Sequence, residues 1–148
     1  MKKLIDRAIF IAAVFLCVTM VIACKTTPKS AEEAFRNLYD SYYSSLILDG
    51  AGTYTVAEGD TLAHIAQSSE YHSGFYYPII MLASKDVVLD PDKIEPGMKL
   101  TIPNLQKNLD DPKARANIKK FLGEVAKIED DRDRAETAQG LRNLAGSM

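Results

Sequence analysis

Hydrophobic and polar positions change period along this chain, and each change marks an element. From Ala31, the residues Phe35, Leu38, Tyr39, Tyr42, Tyr43 and Leu46 recur at helical spacing. This predicts a helix from Ala31 to about Ile47. Ser30-Ala31-Glu32-Glu33 has the form of a capping box, and Asp49-Gly50-Ala51-Gly52 ends the run. Two segments then follow a period of two. Tyr54 and Val56 alternate with Thr53 and Thr55; Met98, Leu100 and Ile102 alternate with Lys99 and Thr101. Each reads as a short strand with one buried and one wet face.

Between the strands lie two helical patterns. Leu62, Ile65 and Ala66 fall at i, i+3 and i+4; Tyr77, Ile80, Met81 and Ser84 mark the second, with Pro78 in its first turn. Asp60 is placed as N-cap of the first helix, its carboxylate accepting amide protons of the first turn. Gly59 permits a tight turn, and Gly74 serves as pivot of the linker Ser68–Phe75. Beyond Pro103, Asn104–Asp110 reads as a connector. Asp111-Pro112 opens a helix carrying Ala114, Ile118, Phe121, Leu122, Val125 and Ile128 on one face. Glu129–Arg134 reads as a solvated turn. Ala135, Ala138, Leu141 and Leu144 predict a last, weaker helix with Gly140 as its soft spot. The two tail helices form an antiparallel hairpin, expected to pack within the chain because its apolar stripe would otherwise be exposed.

The opening Tyr54-Thr55-Val56-Ala57-Glu58-Gly59-Asp60-Thr61-Leu62 and the closing Pro96-Gly97-Met98-Lys99-Leu100-Thr101-Ile102-Pro103 stand in the order and at the separation found in LysM domains. The segment resembles that family, a small carbohydrate-binding module. The expected fold class is α+β: a LysM βααβ module, a two-stranded antiparallel sheet with two helices, flanked by an N-terminal helix and a C-terminal helical hairpin. The boundaries are 1–23 signal peptide, 24–52 tether and N-terminal helix, 53–103 LysM domain and 104–148 C-terminal extension. The resemblance implies a shallow groove between the Gly59–Leu62 loop and the Lys85–Gly97 loop. Chains containing N-acetylglucosamine would lie there. Its site residues are expected to be Gly59, Asp60, Thr61, Leu62, Val88, Ile94, Pro96 and Gly97. Backbone groups would meet the acetamido N–H and C=O, and Leu62, Val88 or Ile94 would take its methyl and the sugar's apolar face. Tyr77 stands where the family often has Trp. Ser84 stands where it usually has Asn, whose amide ties down the following loop; a hydroxyl reaches less far.

The N-terminus carries Lys2, Lys3 and Arg7, then an uncharged run from Ala8 to Ala23. At 1.5 Å per residue that run spans about 24 Å, short of a hydrocarbon core of roughly 30 Å. A secretory signal fits better than a membrane helix. Val21-Ile22-Ala23-Cys24 resembles a bacterial lipobox, which implies lipid on Cys24 and an exported protein anchored in the cell envelope. Lys25 in place of Asp points to the periplasmic face of the outer membrane. Cys17 would leave with the signal, so no pairable cysteine remains.

Charge and chemistry narrow the function. The formal net charge is −2, with both signs interspersed, and no basic field suits a nucleic acid. Asp90 and Asp92 flank a proline turn and lack the rest of a calcium loop. His64 and His72 have no third metal ligand at suitable spacing. The tail has no His, Cys or Trp. No cofactor and no catalytic residue is expected. Two readings remain: a lipid-anchored protein that binds peptidoglycan through one LysM domain, or an envelope scaffold whose C-terminal helices meet a protein partner.

Overall fold

The computed structural model describes residues 30–148. The signal segment, Cys24 and the tether to Lys29 lie outside the described residues. Helix α1 spans Ala31–Tyr42, with a 3-10 turn at Tyr43–Ser45, and strand β1 spans Gly52–Thr55. Helix α2 (Leu62–Ser68) is joined through a 3-10 turn at Gly74–Tyr76 to α3 (Tyr77–Ala83). Strand β2 (Lys99–Ile102) is followed by α4 (Leu105–Asp110), α5 (Pro112–Asp131) and α6 (Ala135–Ser147). The strands pair antiparallel, with Tyr54 opposite Leu100 and Gly52 opposite Ile102. The expected α+β arrangement, strand-helix-helix-strand with helical flanks, is thus the fold.

Every residue of α3 is buried. Its sequence, Tyr77-Pro78-Ile79-Ile80-Met81-Leu82-Ala83, is apolar on all sides, and a helix of that kind belongs inside a core. α2 and β2 pack on it, and α5 touches it as well. Leu62, Ile65 and Ala66 of α2, Val56 and Leu100 of the strands, and Phe121, Leu122 and Val125 of α5 join one continuous apolar cluster. The flanks therefore share the LysM-like unit's core, as a small unit needs to bury enough surface.

α1 begins where its capping sequence stands: Glu33 N–H donates to Ser30 Oγ at 3.3 Å. Phe35 and Tyr39 are buried, and the Tyr42 ring lies 5.5 Å from that of Phe121. The tyrosine stripe is thus a packing face against α5. The helix stops at Tyr42 instead of reaching Ile47. Ser45 Oγ donates to Tyr42 O at 2.6 Å, and such a side-chain bond competes with the helical ladder. Ile47 is then clamped by buried Asn108. Ile47 N–H donates to Asn108 Oδ1, and Asn108 Nδ2 donates to Ile47 O, each at 2.8 Å.

The tail departs from expectation at several points. Asn104–Asp110 is a helix and not a connector: Asn104 Oδ1 accepts from Lys107 N–H at 2.9 Å. α5 starts on its cap-then-proline signal, with Ala114 N–H donating to Asp111 Oδ1 at 2.7 Å. It continues through Asp131, and Glu129 is fully buried rather than solvated. The reversal occupies Arg132–Arg134, with Asp133 at φ +59°. Gly140 is a contact and not a soft spot. A Cβ there would stand 2.1 Å from the Phe75 ring, which rests against α6. Nor is Gly74 the pivot of its linker. The left-handed residue is His72, at φ +52°, and Gly74 instead packs against Ala63. No helix among the described residues is long and apolar enough to cross a membrane.

Candidate functional site

The first loop leaves β1 at Val56 and turns at Gly59, which sits at φ +84° with open space where a Cβ would be. Asp60 is not the helix cap. Its Oδ2 accepts from Ala57 N–H at 2.8 Å and from the Tyr54 hydroxyl at 2.9 Å, closing the loop on itself. These bonds, the Ala57 amide first, hold the Asp60 carboxyl below the usual range, and the same bond pushes Tyr54 up. Thr61 caps α2, its Oγ1 accepting from His64 N–H at 3.1 Å. An extended backbone (φ −124°, ψ 153°) puts Thr61 in the cap position one residue after Asp60.

The second loop leaves α3 at Ser84. Ser84 O accepts from the Val87 and Val88 amides, both at 2.8 Å, and Ser84 Oγ accepts from Thr101 N–H at 2.9 Å. The serine thus fastens both the start of the loop and β2. At the loop's tip, Asp92 N–H donates to Asp90 Oδ1 at 3.1 Å and Lys93 N–H to Asp90 O at 3.1 Å, an aspartate-led turn around Pro91. A second turn has Met98 N–H donating to Glu95 O at 3.1 Å, with Pro96 and Gly97 at its centre and Gly97 at φ +91°. Gly97 N–H donates to Val56 O at 2.8 Å. The glycine–aspartate turn and the proline–glycine turn therefore meet at one end of the sheet.

Between the loops is an open cleft of about 150 Å³. Thr61, Leu62 and Ala63 form one side, Pro91 and Asp92 the other, and Tyr77 also borders it. The remaining side comes from outside the module: Arg134 and Thr137, at the start of α6. Of the residues expected from sequence, Thr61 and Leu62 border the cleft. Gly59, Asp60, Val88, Ile94, Pro96 and Gly97 do not. Val88 is only 1% exposed and belongs to the core, so its side chain offers no sugar-facing surface; Leu62, at 2%, borders the cleft with little to spare. Ile94 is half-buried, while Gly59, Pro96 and Gly97 are exposed. The sequence reading missed Arg134 and Thr137. A signal was present: Arg132 and Arg134 alternate with acids, as Asp90 and Asp92 flank a proline.

Those charges interlock. Arg132 Nη2 donates to Asp90 Oδ1 at 2.9 Å and also to Asp92. Arg134 meets Asp92 through both guanidinium arms, one at 3.0 Å. The Arg134 bond holds the Asp92 carboxyl below its ordinary range. Beneath them, fully buried Glu129 accepts from the Tyr77 hydroxyl at 2.9 Å. Arg132 and Arg134 stand 3.7 and 3.6 Å from its carboxylate, as ion pairs. Burial, then the charge of Glu129, pushes the Tyr77 hydroxyl far above its usual range, so it stays a donor. Asp90 and Asp92 are thus bound by arginines. Among the described residues no group of three or more His, Cys, Asp or Glu could hold a metal.

Residues 54–103, about a third of the chain, match the family model of the LysM domain. LysM domains bind glycans that contain N-acetylglucosamine. No curated protein and no solved structure matches the chain.

Proposed function

We propose that this chain is a non-catalytic, lipid-anchored envelope protein that binds the N-acetylglucosamine-containing strand of peptidoglycan in the cleft between Thr61–Ala63 and Pro91–Asp92. The carrying observation is that the cleft lies between the two loops of the segment that matches LysM. Thr61 is engaged as a helix cap, Tyr77 with Glu129, and Asp92 and Arg134 with each other, so these side chains are held in place, which suits a preformed binding surface. Each neutral hydrogen bond nets about 0.5–1.5 kcal/mol, so a shallow cleft with a few of them binds in the micromolar-to-millimolar range, about −4 to −8 kcal/mol. Weak single-site affinity suffices for anchored copies facing a polymer. The anchor reading rests on Val21-Ile22-Ala23-Cys24, and Lys25 in place of Asp supports the periplasmic face of the outer membrane.

Protein lacking residues 1–23 should co-sediment with purified insoluble peptidoglycan, and Thr61→Val should reduce the sedimented fraction. Sedimentation that ignores changes at Thr61 and Asp92 would place binding elsewhere. Mass spectrometry of the membrane-extracted chain should find lipid on an N-terminal Cys24, and Cys24→Ala should release the protein to the soluble fraction. One observation favours the scaffold alternative, in which the module bears no glycan and the C-terminal helices serve a protein partner. Those helices tie down the closing loop and occupy one side of the cleft. Failure of the wild-type chain to sediment would select it.

A further inference from the structure

Resting on the glycan reading above, we propose that the C-terminal hairpin completes the sugar site. In this proposal Arg134 and Thr137 contact the bound glycan directly, and Arg132 and Glu129 hold the closing loop in its binding shape. The LysM segment ends at Pro103 and supplies only the two loop walls and Tyr77; the remaining wall belongs to the start of α6. The loop tip depends on the same hairpin. Asp90 and Asp92 lie two residues apart, and both are neutralised from it, Asp90 by Arg132 and Asp92 by Arg132 and Arg134. Without those arginines two like charges would share a tight proline turn.

The chemistry at this wall fits a neutral aminosugar. The side chains of Asp92 and Arg134 are 49% and 37% exposed, so a ligand in the cleft can reach both. Joined through two guanidinium arms, they present a fixed acceptor beside a fixed donor. An acetamido group offers the complement, an N–H for the carboxylate and a C=O for the guanidinium. Arg134 has five N–H donors, of which Asp92 takes two, and the Thr137 hydroxyl can donate or accept. Because the pair is already ordered, little side-chain freedom is lost on binding. The charges argue the same way: three acids (Asp90, Asp92 and Glu129) surround two arginines, so the wall has no surplus cation to draw a carboxylate-bearing sugar.

The test is an NMR titration of the full chain in detergent micelles with tetra-N-acetylchitotetraose, on wild type, Thr137→Val and Arg134→Lys. In the wild type the Thr137 methyl and Arg134 side-chain resonances should shift on saturation. Thr137→Val should weaken binding about two- to tenfold with an unchanged Tm, the fold-change expected for one hydrogen bond. Arg134→Lys keeps the charge but loses the fork, and should weaken binding at least as much. Raising salt should leave the wild-type affinity nearly unchanged, as for a neutral ligand. If the wild type binds and Thr137→Val binds equally well, with the Thr137 methyl unmoved, the hairpin is no part of the site and the proposal fails alone. If the wild type does not bind, the glycan reading fails and takes the proposal with it. Should Arg134→Lys lower Tm, the Thr137→Val result decides.

Discussion

Asp60 shows how one carboxylate can close a loop from within. Its two donors, Ala57 N–H and the Tyr54 hydroxyl, both belong to the loop it closes. Both favour the charged form, so its pKa is lower folded than unfolded. A depressed folded pKa contributes stability above the unfolded value, about 3.9, and loses it as pH falls through the folded value. Asp60→Ala should therefore lower Tm at neutral pH, and the gap to wild type should close in acid. Thermal melts by circular dichroism over a pH series measure this; a gap that persists in acid would assign the loss to packing. At this scale the sequence was only partly legible. Asp60 and Thr61 are both competent caps, and only the backbone angles of Thr61 decide between them. Val88 follows an apolar neighbour in a loop, and no period tells which of the pair turns inward; Val87 is 45% exposed and Val88 is buried. Glu129 looked solvated among charged neighbours because its partner, Tyr77, is 52 residues away.

Elements announced by alternation or a helical stripe were legible: β1, β2, α1, α2 and α5 all form on the segments their patterns mark, although α1 stops at Tyr42, short of Ile47, and α5 runs on to Asp131. α4 was missed because fewer than two turns carry no stripe, although Asn104 is a good cap. Its buried Asn108 is what joins it to the chain before β1. Asn108→Leu would leave the Ile47 N–H and C=O without their partner, and an unsatisfied buried group costs about 1–3 kcal/mol. Urea unfolding should show a loss of about 2–3 kcal/mol; a loss near zero would mean Ile47 finds other partners. Gly140 sets two element-level preferences against each other. Alanine is the better helix former by about 1 kcal/mol, yet its Cβ would collide with the Phe75 ring. Gly140→Ala should thus destabilise the wild type by about 1–2 kcal/mol and stabilise a Phe75→Ala background by about 0.5–1 kcal/mol. The sign change in this double-mutant cycle is the check. Equal effects in both backgrounds would show that the ring moves aside freely.

For the whole molecule, the question is whether the LysM segment and its flanks unfold as one body. Glu129 stands at their joint. It accepts the Tyr77 hydroxyl from α3 and faces Arg132 and Arg134 at the hairpin turn. Arg132 reaches Asp90 in the closing loop and lies 6.0 Å from the Phe35 ring of α1. Lys93 of that loop is bound in turn by Glu32 of α1 at 2.6 Å. Glu129 is the fully buried member of this set, and removing it leaves Arg132 uncompensated, at about 3–5 kcal/mol for a broken buried ion pair. Glu129→Ala should cost in that range. Glu129→Gln keeps an acceptor for the Tyr77 hydroxyl and should cost clearly less. The stronger test is where the loss appears. If the joint couples the parts, hydrogen exchange in Glu129→Ala should speed up together at Asp90–Ile94, at the start of α6 and in α3. Faster exchange confined to the hairpin would mean that the closing loop keeps its shape unaided. The shape of the closing loop would then be a property of residues 54–103 alone.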